Sequence, residues 1–342
     1  MTIHLDDFLT LRHQLPTVDV RSEGEYVEGH IRGVANIPIL NNEERIAVGT
    51  DYKQKGQKEA IKTGFRLVGP RLESIVYEAE KLANGNELLV HCWRGGMRSN
   101  NFCQFIGMAG VKSHQLIGGY KTYRQRAVES FELPFQLLVI GGKTGSGKSE
   151  VLRALKACGE QILDLEKLAN HKGSVFGGLM LGGQPTTEQF QNDLFENILT
   201  LDSNKRIWIE DESIAIGKIF LPTALWQSLR GSPVFQIDVS KEVRIERLVK
   251  EYGSADQQEF LDAMEKILRK LGGQHFNTAK EKWLLGDAHN TIDILLTYYD
   301  KAYTNGLEKR KNLVSPAMHW SGIDANACAK VLIQSANDFK KS

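Results

Sequence analysis

The chain has 342 residues, 41% hydrophobic and 25% charged, with 43 Lys and Arg against 42 Asp and Glu and a formal net charge of +1. That length suits two ordinary domains with an appendage, and the near-zero charge gives no global signature of nucleic-acid binding, although a basic face can exist locally. Asp6, Asp7, Arg12 and His13 interrupt the apolar residues a secretory leader needs, no apolar run is long enough to span a bilayer, and four cysteines without a two-residue spacing argue against a disulfide scaffold or zinc knuckle.

The expected location is therefore the cytoplasm, with no membrane partner. Cys103, Cys158 and Cys328 read as residues in or near the core, since free cysteine behaves as a small hydrophobe. In chain order, residues 17–20 read as a buried strand, 23–28 as a short helix, 29–33 as a turn and 35–39 as a strand. Residues 41–66 are polar and rich in Lys and Gly, which predicts an exposed insertion. Helical spacing returns over 68–82, with Gly85 as its stop, and residues 87–90 form the strand that delivers Cys92.

Cys92 is followed by Gly95, Gly96, Arg98 and Ser99. Backbone amides of a curled glycine-rich loop point inward as an anion nest, and a helix starting near Ser99 adds its positive end. Both favour the thiolate of a group whose free pKa is about 8.5. Cys92 is thus a nucleophile candidate, with Arg98 expected to bind an anion bidentately and Arg94 to screen a second charge. A cysteine merely buried at a strand end is the competing reading, but two glycines and two arginines make poor core composition. Ser99 either bonds the thiolate or caps the helix; His91 reads as loop support and Trp93 as either mouth or packing.

Asp19-Val20-Arg21, Gly29-His30-Ile31, Asn36-Ile37-Pro38, Cys92 with Arg98-Ser99, and Leu116-Ile117-Gly118-Gly119-Tyr120 together resemble a rhodanese-like sulfurtransferase domain. The resemblance implies a small doubly wound parallel α/β unit whose cysteine carries sulfur, with Asp19 and Arg21 organising the site. Five residues separate Cys92 from Arg98, whereas many members have a tighter loop. The wider spacing also resembles dual-specificity phosphatases and favours a tetrahedral, phosphate-like donor; no general acid for a phosphatase is evident.

Residues 131–135 read as a junction, with Pro134 opposing a continuous helix. Residues 136–140 read as a central strand leading into Gly142, Lys143, Thr144, Gly145, Ser146, Gly147, Lys148 and Ser149, a full P-loop match, and 150–158 continue with helical periodicity. The amides would cradle phosphate, Lys148 would reach an anionic oxygen, and Ser149 would bind magnesium. The strand at 207–209 ends in Glu210-Asp211-Glu212, where Asp211, then Glu210, are the expected metal-supporting carboxylates. Further strands are expected near 161–165 and 234–239, a helix at 190–201, and a glycine-rich crossover at 171–178. Arg244 and Arg247 sit three apart on the helix expected at 242–252, where they could cover phosphates or simply face solvent. Helical patterns at 259–300 and 322–335 complete the chain, broken at Gly272-Gly273 and Gly286.

The fold class expected is α/β: a rhodanese-like domain (1–130), a P-loop NTPase-like α/β domain (131–240) and a helical C-terminal region (241–342). The ordered combination of the His91–Ser99 loop, the P-loop, the 208–213 segment and the helical tail resembles bacterial transfer-RNA 2-selenouridine synthases over nearly the whole chain. The resemblance implies replacement of sulfur by selenium at C2 of wobble 2-thiouridine in tRNA, through S-geranylation by geranyl diphosphate and exchange with selenophosphate. It further implies Cys92, Arg94 and Arg98 at the selenation site, Lys148, Ser149 and magnesium at the departing pyrophosphate, and a selenophosphate synthase as selenium supplier. Lys53, Lys55, Lys58, Lys62 and Arg66, and Lys309-Arg310-Lys311, are candidate phosphate contacts for tRNA; Trp283, Tyr298, Tyr299 and Trp320 could stack on a base or pack internally. An ATP-dependent kinase, a cysteine-dependent phosphatase and a noncatalytic tRNA-binding module are the alternatives.

Overall fold

The computed structural model describes residues 1–339. It divides into two compact units, Met1–Ser130 with Gln191–Glu196, and Phe131–Phe190 with Asn197–Ser342.

Unit 1 carries β1 (Thr2–Ile3), β2 (Thr17–Asp19), β3 (Ala35–Asn36), β4 (Leu88–His91) and β5 (Ser113–Leu116), in the all-parallel order β1-β5-β4-β2-β3. β2 and β4 are buried along their length, as befits strands covered on both faces. Helices α1 (Leu5–Leu11), α2 (Glu23–Glu28), α3 (Asn42–Lys55), α4 (Gln57–Val68), α5 (Leu72–Ala83), α6 (Met97–Met108) and α7 (Gly119–Ser130) link them. Cys92 leaves the carboxyl end of the central strand β4, the usual ligand-binding edge of an open parallel sheet.

The polar, largely exposed stretch at 41–66 forms two helices joined at Gly56. Asn41 and Glu44 cap α3 reciprocally, and α4 turns Ala60, Thr63 and Val68 inward, so a one-sided apolar stripe was hidden by the polar composition. The helix expected over 68–82 starts later, at Leu72, because Pro70 opens a 3-10 turn at Gly69–Arg71; Asn84, in the left-handed region at φ 45°, ends it ahead of Gly85.

Unit 2 holds a second parallel sheet, β12-β11-β6-β8-β7, from β6 (Leu137–Gly141), β7 (Gln161–Leu163), β8 (Ile207–Glu210), β11 (Val234–Asp238) and β12 (Met318–His319); β9 (Ala215–Ile216) and β10 (Ile219–Phe220) form a separate antiparallel pair. The helices are α8 (Lys148–Ala157), α9 (Leu165–Ala169), α10 (Thr187–Ile198, whose residues 191–196 belong to unit 1), α11 (Thr223–Arg230), α12 (Lys241–Tyr252), α13 (Gln257–Glu265), α14 (Leu268–Leu271), α15 (Gly273–Leu284), α16 (Ala288–Glu308) and α17 (Ala325–Phe339). Residues beyond 241 are built into this unit: Met318 pairs with Ile237 at the sheet edge, and Cys328, Ala329 and Leu332 of α17 share a core with Val151 and Leu155 of α8. A second core, centred on Phe260, Met264, Trp283 and Leu296, holds α12 to α16 together. Trp283 and Trp320 are accordingly buried, the packing alternative for both; Cys158, exposed beyond the end of α8, is the one expected core cysteine that faces solvent. Among the described residues no helix is long and apolar enough to cross a membrane.

Candidate functional site

The thiol loop is set by its glycines and by the strand beneath it. Cys92 O accepts from Tyr120 N at 2.8 Å, and Trp93 O accepts from Lys121 N at 2.9 Å, which fastens the loop to the start of α7. Gly119 adopts φ 62°, and a Cβ there would lie 2.4 Å from Cys92 O, so only glycine lets the two segments meet. Cys92 is 3% exposed, and its Sγ lies 3.1 Å from Ser99 Oγ in the first turn of α6. Gln115 steadies this pair from β5, donating through Nε2 to Ser99 Oγ at 2.8 Å and to Gly95 O at 2.7 Å.

Arg98 reaches back to Glu25 with Nη1···Oε2 at 2.6 Å and Nη2···Oε1 at 3.2 Å. Burial works to raise the Glu25 carboxyl, but the hydrogen bonds and charge of Arg98 outweigh it and hold the group below its ordinary value. The bidentate geometry expected for an anion is therefore occupied by a carboxylate, which an incoming anion must displace or share. Arg94 is exposed. Beneath the loop Arg21, 1% exposed, forks onto Asp19 and donates to Gly29 O at 2.6 Å, with its guanidinium 3.8 Å from the Tyr120 ring centre. Burial opposes the Asp19 charge, yet His91 and Arg21 keep the carboxyl below its usual range; since burial also lowers His91, the Arg21 fork is the contribution that persists at neutral pH. Fully buried and locked by Arg21, Asp19 has no path to act as a general acid.

In unit 2 the P-loop follows β6 and opens α8. Gly142, Thr144, Gly145, Gly147, Lys148 and Ser149 line an open cavity of about 2060 Å3; Lys143 and Ser146 lie off its wall. Gly147 sits at φ 79°, a conformation side chains rarely adopt, and a Cβ there would also displace the end of Arg247. Lys148 Nζ folds over the loop onto Gly142 O at 3.1 Å, and Ser149 Oγ donates to Glu166 Oε2.

The two candidate arginines part ways. Arg247 lines the cavity, donating to Glu150 and Gly322 O and lying 5.1 Å from the Trp320 ring centre. Arg244 does not line it: 2% exposed, it forks onto Asp300 with both bonds at 2.8 Å and donates to Thr144 O at 3.2 Å, so it holds the P-loop from behind. Of the expected acidic pair, Asp211 lines the cavity and Glu210 does not. Glu210 is fully buried and accepts from Leu165 N at 3.0 Å, which ties β8 to α9, and burial drives its carboxyl well above the ordinary value. Asp211 reaches the cavity but is ion-paired with Arg310, with Arg230 at 3.7 Å.

The carboxylate at Ser149 is that of Glu166, and Glu212 lies beside Glu166. Burial and the charge of Glu166 push Glu212 up to about 8, with Lys148 pulling the other way. Nothing in the sequence marked Arg230; Glu166 and Glu212 were passed over in favour of Asp211 and Glu210, and Arg310 leaves the expected basic surface patch, since it is 7% exposed between exposed Lys309 and Lys311. Glu212 gives a pH signature. A carboxyl raised above its unfolded value of 4.5 contributes stability that is complete below 4.5 and is lost as pH rises through about 8. The melting temperature of ligand-free protein should fall across that window, and Glu212→Gln should flatten the fall; an equal slope in the variant would assign the titration to another group.

A family model described as the tRNA 2-selenouridine synthase AAA domain matches residues 135–331, and one described as a rhodanese-like domain matches residues 5–126. The tRNA 2-selenouridine synthase of Nitrosomonas europaea (strain ATCC 19718) is 31% identical, the match covering 94% of this chain and 96% of that protein. That of Hydrogenovibrio crunogenus (strain DSM 25203) is 32% identical over 90% of this chain and 93% of its own, and that of Pseudomonas syringae pv. tomato 37% identical over 70% and 66%. The chain belongs to the tRNA 2-selenouridine synthase family. It is an enzyme with the two-part organisation of that family, a rhodanese-like unit followed by a P-loop unit that includes the helical C-terminal region. Within the tRNA 2-selenouridine synthase matches, the thiol loop falls in the rhodanese-like segment and the phosphate loop in the AAA segment.

Proposed function

We propose that the protein converts wobble 2-thiouridine of tRNA to 2-selenouridine in the cytoplasm, in two steps served by two loops. The observation that carries this reading is the presence, in one chain of this family, of a complete thiol loop at Cys92 and a complete phosphate cradle at Gly142–Ser149. In the first step the 2-thio sulfur attacks C1 of geranyl diphosphate; a C–S bond forms, the C–O bond breaks and pyrophosphate leaves. The P-loop amides, Lys148 and Arg247 stabilise the charge that develops on the leaving oxygen. Magnesium suits the donor set beside the loop, a hydroxyl and carboxylates with the remaining positions left to phosphate and water. Ser149 and Glu166 would hold it, with Glu212 behind them, and it would neutralise the diphosphate when bound.

Alkylation turns a poor leaving group into a thiol and removes electron donation from the thiocarbonyl. In the second step selenium of selenophosphate attacks C2, the C2–S bond breaks and geranyl thiol departs, and water then takes the phosphoryl group from selenium. Cys92 serves this step at the thiol loop, with Arg94 and Arg98 binding the donor's phosphate oxygens. A selenophosphate synthase supplies the donor. Exposed Lys53, Lys55, Lys58, Lys62 and Arg66 on α3 and α4 offer phosphate contacts to tRNA.

The test is nucleoside mass spectrometry after incubating purified protein with 2-thiouridine tRNA, geranyl diphosphate and selenophosphate. S-geranyl-2-thiouridine should appear first and 2-selenouridine after it. Appearance of neither rejects the reading, and transfer of label from the terminal phosphate of ATP to RNA or a small molecule would replace it with kinase chemistry.

A further inference from the structure

Unit 1 contains a second cavity, about 160 Å3, walled by Val48 and Tyr52 of α3, Ile61 and Phe65 of α4, and Met97 and Phe105 of α6. Its wall is almost wholly apolar. Tyr52, Phe65 and Met97 are 58%, 60% and 49% exposed, so three large apolar side chains gather in water where core packing does not call for them.

The slot is continuous with the thiol loop. Met97 and Arg98 belong to the loop and to the slot wall at once. Val48 and Phe105 pack on the same core cluster as Cys92, and Gln57 of α4 ties the hairpin to the loop by donating to Met97 Sδ at 3.8 Å. One end of the slot is therefore a guanidinium that engages anions, and the rest is hydrocarbon. A ligand matching both ends has an apolar chain attached to a centre that reacts beside an anion. Apolar cavities of about 150 Å3 hold a benzene-sized hydrocarbon, so this one suits roughly one five-carbon unit, with further chain lying along Tyr52 and Phe65.

We propose that the slot between α3, α4 and α6 is the isoprenoid subsite of the selenation step, holding the geranyl chain of S-geranyl-2-thiouridine with its thioether at the Cys92 loop. The inference rests on the two-step reading above and adds a location to it. As selenium forms its bond to C2, the C2–S bond breaks and its electron pair leaves on the geranyl thiolate, whose chain the slot already holds. Seating the chain there also selects the alkylated nucleoside over unmodified 2-thiouridine.

Two measurements test it. Isothermal titration of the intact protein with geranyl thiol should give binding that Phe65→Glu weakens by about tenfold or more, the discrimination an apolar pocket commonly supplies. Single-turnover selenation of tRNA carrying S-geranyl- or S-methyl-2-thiouridine should show the geranyl-to-methyl rate ratio falling by a similar factor in Phe65→Glu and recovering in Phe65→Leu. Unchanged binding and an unchanged ratio, with the wild type converting the S-geranyl substrate, would overturn the subsite and leave the two-step reading standing. Thiol binding that Phe65→Glu weakens, with no conversion of either substrate by the wild type, would keep an isoprenoid site here and reject the reaction assigned to it.

Discussion

Cys92→Ser is expected to lower formation of 2-selenouridine by on the order of 1000-fold or more while S-geranyl-2-thiouridine accumulates. The substitution is small: the side chain is buried, its neighbour Ser99 sits 3.1 Å away, and Gln115 holds that neighbour in place, so a hydroxyl can occupy the position without disturbing the loop. What changes is chemistry. A serine hydroxyl is a far weaker nucleophile than a cysteine thiol. The P-loop lies in the other unit and keeps its own lysine, serine and carboxylates, so alkylation does not depend on the thiol. Nucleoside mass spectrometry over a time course separates the two products. Selenouridine formed at the wild-type rate by Cys92→Ser would remove the thiol from the reaction.

Both loops were legible in the sequence because each is a local strand–loop–helix unit whose glycines, anion-binding groups and nucleophile or lysine follow one another within a few residues. What completes each site comes from far along the chain. Glu25 reaches Arg98 across 73 residues, and Asp300 reaches Arg244 across 56. Helical spacing placed Arg244 and Arg247 near one another but could not say that Asp300 on α16 claims the first. The acidic run after β8 failed differently. A parallel strand covered on both faces has no polar–apolar alternation, so the sequence carried no phase by which to tell that Glu210 points under Leu165 and Glu212 into the cavity. At 41–66 composition outweighed periodicity: the charges that suggested only an exposed insertion lie on the outer faces of two helices, the first of them capped, and the inner face of α4 builds the slot beside the thiol.

Lys148→Ala is expected to reduce S-geranylation by on the order of 100- to 1000-fold, the usual consequence of removing one group that stabilises developing charge. Lys148 folds onto Gly142 O at 3.1 Å, so its ammonium stands over the loop that lines the cavity. Departure of pyrophosphate concentrates negative charge on the bridging oxygen as the C–O bond stretches, and the ammonium stands on the wall of the cavity that would receive it. Losing it removes the attraction to the leaving group. It also removes the one charge that holds Glu212 down, so the local field turns further against a polyphosphate. Arg247 remains on the cavity wall but is shared with Glu150 and Gly322 O, which limits how far it can compensate. The same variant, supplied with tRNA already carrying S-geranyl-2-thiouridine, should still form selenouridine from selenophosphate, because that step belongs to the Cys92 loop. Equal loss of both steps in Lys148→Ala, in protein that melts like the wild type, would contradict the separation of leaving-group chemistry from selenium chemistry between the two units.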